Sequence, residues 1–163
     1  MIKKIIIILI AIIIALGFYF MIKNKNCTKT MLKDKINNVF GMGEPNPYGE
    51  FFTGQTYLQR LVAKDNIFNS SIANVTFEAG ARTNWHKHSG GQILLVIDGE
   101  GRYQEEGKEI QMLHKGDIVK IAPNIKHWHG ASQNGDFIHI SVETNIPNNQ
   151  TDWLEPVSDE EYK

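Results

Sequence analysis

From Thr56 to Glu143 the residues come in short β-branched and aromatic runs, and Gly, Asn or Pro interrupts them every several positions. The runs are TYLQRLV, IANVTF, QILLVI, GRYQ, EIQMLH, DIVKIA, KHWHG and FIHISVE. None sustains a 3.6-residue apolar period, so none can present the continuous stripe that a packed helix needs. Many short strands separated by regular turn signals mean an all-β sandwich or barrel. Asp98-Gly99 and Glu106-Gly107 read as hairpin turns, because both dipeptides favour positive φ. The tail, DWLEPVSDEEYK, is acidic and is expected to be a short helix or an extended segment packed on the barrel.

A chain of 163 residues has room for one such domain and an appendage. The appendage is Ile5 to Ile22, an unbroken apolar run of eighteen residues flanked by Lys3, Lys4, Lys23 and Lys25. At about 1.5 Å per residue it reaches roughly 27 Å, enough for the hydrocarbon core of a bilayer. It is longer than a signal-peptide core, and no Ala-x-Ala site closes it. Residues 1–22 are therefore read as a membrane anchor, with secretion as the alternative if the segment is cleaved. Residues 23–45 are Lys- and Asn-rich and read as a tether, with a short helix over Met31 to Phe40. Residues 46–163 are assigned to the folded domain. Lysines crowd both flanks of the run, and an N-terminal export-type segment tips the domain to the outer side of the membrane.

Composition excludes some partners. A net charge of −1 gives no electrostatic case for nucleic acid. Cys27 is the only cysteine, so no intrachain disulfide forms. Self-association through the barrel is left open.

The histidines carry the chemistry. In NWHKHSGGQ, His86 and His88 stand one residue apart, which on a strand puts both rings on one face, roughly 6–7 Å apart at the backbone. That is a workable bite for one metal ion. Gln92 follows after Ser89-Gly90-Gly91, a turn that can bring a third donor over the same ion. His127, in PNIKHWHG, opens a strand after the turn at Pro123-Asn124, and His129 shares its face. In FIHISVE, Phe137, His139, Ser141 and Glu143 share one face and Ile138, Ile140 and Val142 the other, so a cavity would take the mixed face. For His139 the bland alternative is a hydrogen-bonded core histidine. His114 reads as surface, and Trp85, Trp128 and Trp153 as core or rim. Arg82 and Lys87 read as solvated charges by default, with steering of an anionic substrate as the other reading.

Gly80-x5-His86-x-His88-x3-Gln92-x6-Gly99, followed by Gly116-x5-Ala122-Pro123-x3-His127 and Asn134, resembles the two signature motifs of the cupin superfamily. The usual first motif has Glu where this chain has Gln92, and the usual second has Gly where it has Ile125. Gln at the first position is similar to the manganese-dependent hydroxynitrile lyase-like cupins, which residues 51–163 resemble almost throughout. The resemblance implies a single jelly-roll β-barrel and metal ligands at His86, His88, Gln92 and His127. It also places His129 and His139 near the open coordination positions, as candidate catalytic residues.

Three neutral imidazoles and a neutral amide leave the whole charge of a divalent ion uncompensated, which makes the ion a stronger Lewis acid toward anions than one held by a glutamate. Mixed N/O donors suit one divalent transition metal ion without choosing among them, and the resemblance puts manganese first, with Fe, Co, Ni or Zn as alternatives. The expected function is metal-dependent acid–base chemistry on a small-molecule substrate, with hydroxynitrile lyase-like C–C cleavage the nearest resemblance. An Fe-dependent dioxygenase and a non-catalytic metal-dependent binding module are the alternatives.

Overall fold

The computed structural model describes residues 38–65 and 67–163 of the chain. In order, the strands are β1 (Glu44–Pro45), β2 (Phe52–Thr53), β3 (Thr56–Val62), β4 (Ser70–Phe77), β5 (Arg82–Thr83), β6 (His86–His88), β7 (Gln92–Glu105), β8 (Gln111–His114), β9 (Ile118–Ile121), β10 (His127–Ala131), β11 (Phe137–Thr144) and β12 (Thr151–Trp153). One helical turn, α1 (Asp159–Tyr162), follows them. The all-β architecture expected from the punctuation, with the jelly-roll form that the resemblance implies, is the fold observed.

Two sheets face each other across the core. One runs β1-β3-β4-β11 to the first half of β7 and on to β9, all antiparallel. The other runs β2-β5-β10 to the second half of β7 and on to β8, with β6 between β10 and β12 at its other end. Strand β7 thus belongs to both sheets. Gln92, Leu94 and Val96 are buried in its first half and Gly101 and Tyr103 in its second, so the inward phase shifts by one residue between them. The shift is a β-bulge: Ile138 pairs with Asp98 and His139 with Val96, which leaves Ile97 extra. Asp98-Gly99 is therefore not a hairpin turn. Gly99 has φ +79° and lies against the Asp136 carbonyl, where a Cβ would collide, and it bends a continuous strand from one sheet into the other. Glu106-Gly107 is the turn expected, closing β7 onto β8.

Phe77, Leu94, Val96, Tyr103, Leu113 and Phe137 fill one end of the space between the sheets. A second cluster, Trp85, Trp128, Val157 and Tyr162, lies under the C-terminal segment. Fully burying a large aromatic such as Trp128 contributes about 1.5–3 kcal/mol, so this cluster holds the tail firmly against β10. Arg82 completes the attachment, donating to the Val157 carbonyl and to Asp159 (2.7 Å) while stacking over Tyr162. It is buried, and neither a solvated charge nor a guide for substrate.

The expected anchor at residues 5–22 lies outside the described residues. Among the described residues no helix is long and apolar enough to cross a membrane. Of the helix expected over Met31 to Phe40, only Asn38 to Phe40 is described, as a turn. Asn38 already joins the sheet, donating to Thr76 (3.3 Å) and accepting from Asn74 (3.0 Å). Residues 38–45 of the stretch read as a tether thus join the domain through Asn38, through the Gly41 carbonyl that accepts from Asn74 (2.8 Å), and through β1 paired with β3.

Candidate metal centre and active site

His86 and His88 are both buried on β6, while Lys87 between them points outward to Asp152 (3.5 Å). Their neighbour β10 supplies His127, paired directly with His86. The three rings converge, with centroids 4.1 Å apart for His86 and His127, 5.2 Å for His86 and His88, and 5.7 Å for His88 and His127. His129 follows on the same face of β10, 5.4 Å from His86. Ligand atoms of His86, His127 and His129 lie within 4.8 Å of one another.

Outer hydrogen bonds orient three of these rings. Nδ1 of His86 is 2.9 Å from the Asn84 carbonyl, and Nδ1 of His127 is 2.9 Å from the Ile125 carbonyl. A carbonyl only accepts, so each Nδ1 carries the proton and each Nε2 turns a lone pair inward. Nδ1 of His88 is 3.1 Å from the Thr151 hydroxyl, presented by β12. Nε2 of His88 is buried with no hydrogen-bond partner.

Gln92 completes the ring. Its Nε2 donates to the Ser141 hydroxyl (2.9 Å), which directs Oε1 toward Nε2 of His127, 3.3 Å away. Burial pushes the His127 pKa down to about 4, so the ring is neutral near pH 7 and has one N–H, already committed to Ile125. Two acceptors therefore face each other in a buried site. A cation between them resolves the conflict, and about 3 Å is the spacing of adjacent donors on an ion with bonds near 2.1 Å. The residues fit a divalent ion.

The turn that carries Gln92 back is built for its position. Gly91 has φ +84°. Asn149, buried, clamps the turn by accepting from Gly90 N–H (3.0 Å) and donating to the Gly91 carbonyl (2.9 Å). Where the usual motif has Gly, Ile125 changes only the turn, since Asn124 takes the left-handed conformation there (φ 64°).

His129 and His139 are bound differently. Nδ1 of His129 has no hydrogen-bond partner, and neither nitrogen of His139 has one of good geometry. His139 sits between Phe77 and Phe137, with ring centroids 5.5 and 5.4 Å away, and 4.9 Å from His129. Burial pushes His139 down to about 4 and His86 and His129 well below the usual imidazole range. His88 is lowered too, by burial first. All five imidazoles are held neutral.

Four of them, His86, His88, His129 and His139, line a cavity of about 510 Å³ together with Gln92. Its wall includes Phe52, Leu58 and Trp153, the last stacked on Phe51 at 4.9 Å. Arg60 and Lys64 also line it, and Glu143 accepts from Ser71 (2.9 Å) and pairs with Lys64 (3.1 Å). As expected, His139, Ser141 and Glu143 line the cavity from one face of β11. His114 is exposed beside Glu100 and takes no part. Thr151 and Asn149 were not legible as site residues, since NNQTDW carries no period or motif that relates it to His88.

Residues 73–143 match the Cupin domain family. A curated relative, an (R)-mandelonitrile lyase from Granulicella tundricola, is 39% identical over 114 residues, which cover 70% of this chain and 87% of the relative. The chain is a cupin. The crystal structure of a cupin-like protein from Thermotoga maritima is 44% identical, with a TM-score of 0.74, covering 77% of this chain and 95% of that one. A cupin 2 conserved barrel domain protein from Rhodopseudomonas palustris, at 19% identity and a TM-score of 0.57 over 71% of this chain and 77% of its own, shares the fold. Against that cupin background the three convergent imidazoles indicate a divalent metal site.

Proposed function

We propose that this cupin is a mononuclear metal-dependent lyase that cleaves a small α-hydroxynitrile to a carbonyl compound and hydrogen cyanide, with manganese as its ion. The observation that carries the reading is the division among the imidazoles. His86, His88 and His127 have Nδ1 held by an outer partner, the arrangement that aims Nε2 at a metal, while His129 and His139 do not. His86, His88, Gln92 and His127 are accordingly the ligands, and His129 or His139 moves the proton. The (R)-mandelonitrile lyase relative supports the substrate class.

When bound, a divalent ion in this neutral donor set supplies positive charge for a developing anion. The protein's own residues do the rest. A neutral imidazole, kept so by burial, takes the substrate hydroxyl proton; the carbonyl forms as the C–CN bond breaks with its electron pair on cyanide. The same imidazolium returns the proton, releasing HCN. Phe52, Leu58 and Trp153 shield the organic group from water.

A second ligand set exchanges His88 for His129, because the ligand atom of His129 also lies within 4.8 Å of those of His86 and His127. One experiment tests both. Metal content and mandelonitrile cleavage are measured for the full-length chain and for His88→Ala, His129→Ala and His139→Ala. The expected result is about one ion per chain, lost in His88→Ala. In His129→Ala or His139→Ala the ion stays and turnover falls about 10²–10⁴-fold, the usual size of a general acid–base contribution. Metal kept in His88→Ala and lost in His129→Ala would favour the second set. Metal-loaded protein that consumes oxygen, or that binds without turnover, would replace the lyase by a dioxygenase or a binding module.

A further inference from the structure

Apart from the histidines, one described side chain on the cavity wall has a buried polar atom with no hydrogen-bond partner. Asn46 follows β1 and is held against β3 by its backbone, with its N–H donating to the Thr56 carbonyl at 3.0 Å. It is 8% exposed. Its Oδ1 accepts from the Tyr48 N–H at 3.0 Å, which fixes the amide and decides which end is Nδ2. Nδ2 is buried and has no partner. A buried amide donor left unmade costs about 1–3 kcal/mol, so such a group is kept where something satisfies it.

The surroundings say what that something is. A donor takes an acceptor, and Phe52, Leu58 and Phe77, which offer none, line the same cavity. Of the charged groups lining the cavity, Glu143 is paired with Lys64, while Arg60 has no ion-pair partner among the described residues. The uncompensated charge on the wall is therefore positive. An oxygen acceptor is favoured over a donor or a cation.

We infer that Asn46 is a substrate-positioning residue whose Nδ2 donates to an oxygen on the substrate remote from the reacting carbon, so that the preferred substrate is bifunctional, with a hydroxyl or carbonyl carbon at the histidines and a second oxygen function, a carboxylate or ketone, at Asn46. The inference rests on the proposed reaction only for the identity of the first group. The Asn46→Asp variant isolates it. Aspartate keeps the acceptor for the Tyr48 N–H and replaces the donor by a carboxylate oxygen.

The test is calorimetric binding to the metal-loaded full-length chain of benzaldehyde, 4-acetylbenzaldehyde and 4-carboxybenzaldehyde, with metal content and mandelonitrile cleavage measured alongside. Wild type should bind one or both oxygen-bearing aldehydes about tenfold more tightly than benzaldehyde, the scale of one net hydrogen bond. The ketone arm and the carboxylate arm separate a neutral from an anionic acceptor. In Asn46→Asp the advantage should vanish for the ketone and invert for the carboxylate, while benzaldehyde affinity and metal content hold. Absence of any preference in wild type, or its survival in Asn46→Asp, would overturn the inference. Failure to cleave mandelonitrile with the acceptor preference intact would overturn the lyase reading and leave Asn46 in its role.

Discussion

At Gln92 the choice between an amide and a carboxylate sets the charge of the whole centre. Ser141 holds the amide so that its oxygen faces His127, and no carboxylate joins the three imidazoles. Replacing Gln92 by Glu adds a negative donor at the same reach. The ion should be held at least as firmly, and its pull on a developing anion should weaken. Metal content is expected to stay full while cyanohydrin cleavage falls at least tenfold. Cleavage equal to wild type at full loading would mean that the amide was not selected for its charge.

At the scale of elements, the proposed ligands come from three strands, and each strand is aimed by a different device. β6 is aimed by the carbonyl of Asn84 at one end and by Thr151 of β12 at the other. β10 is pinned from behind by the tail, through Trp128, Val157 and Tyr162. Gln92, the first residue of β7, is aimed by the turn clamped on Asn149. Removing that clamp leaves a buried N–H on Gly90 and loses a bond to the Gly91 carbonyl. Asn149→Ala is therefore expected to destabilise the domain by about 2–4 kcal/mol, read from denaturant unfolding, because each unmade buried group costs about 1–3 kcal/mol. It should also weaken metal binding about 10–100-fold, as loss of an orienting partner does. A stability loss with unchanged metal affinity would separate the turn from the centre.

Over the whole molecule, five neutral imidazoles are buried together, which links stability to pH. His127 and His139 titrate near 4 in the folded protein, lowered by burial, against 6.5 for an unburied imidazole. Between those values the unfolded chain binds more protons than the folded one, so stability falls as the pH is lowered. This contribution is fully present above about pH 6.5 and is lost progressively toward pH 4. Metal-free protein should show a melting temperature that drops through this window, and His139→Phe should flatten the dependence. A melting temperature independent of pH from 7 to 4 would contradict neutral burial of these rings.

How much of this could be read beforehand follows from the range of the interactions. Local spacing carried the strands, the shared face of His86 and His88, the return of Gln92 through two glycines, and the mixed face of β11, because each depends on residues a few positions apart and on a two-residue period. The cupin motifs are local spacings too, and the jelly-roll was legible only through the resemblance they carry. Asp98-Gly99 misled, since positive φ serves a bulge as well as a hairpin, and only the pairing of β11 with β7 decides between them. Arg82 misled because the Val157 carbonyl and Tyr162 that bury it lie some 75 to 80 residues away. The partners of His88 and Gln92, Thr151 and Ser141, are likewise remote by 63 and 49 residues. Sequence by itself determined which donors could meet an ion. Tertiary structure alone decided which nitrogen of His88 turns inward and which end of the Gln92 amide faces His127, because those choices are made by hydrogen bonds to Thr151 and Ser141 on other strands, whereas His86 and His127 are oriented by carbonyls only two residues away.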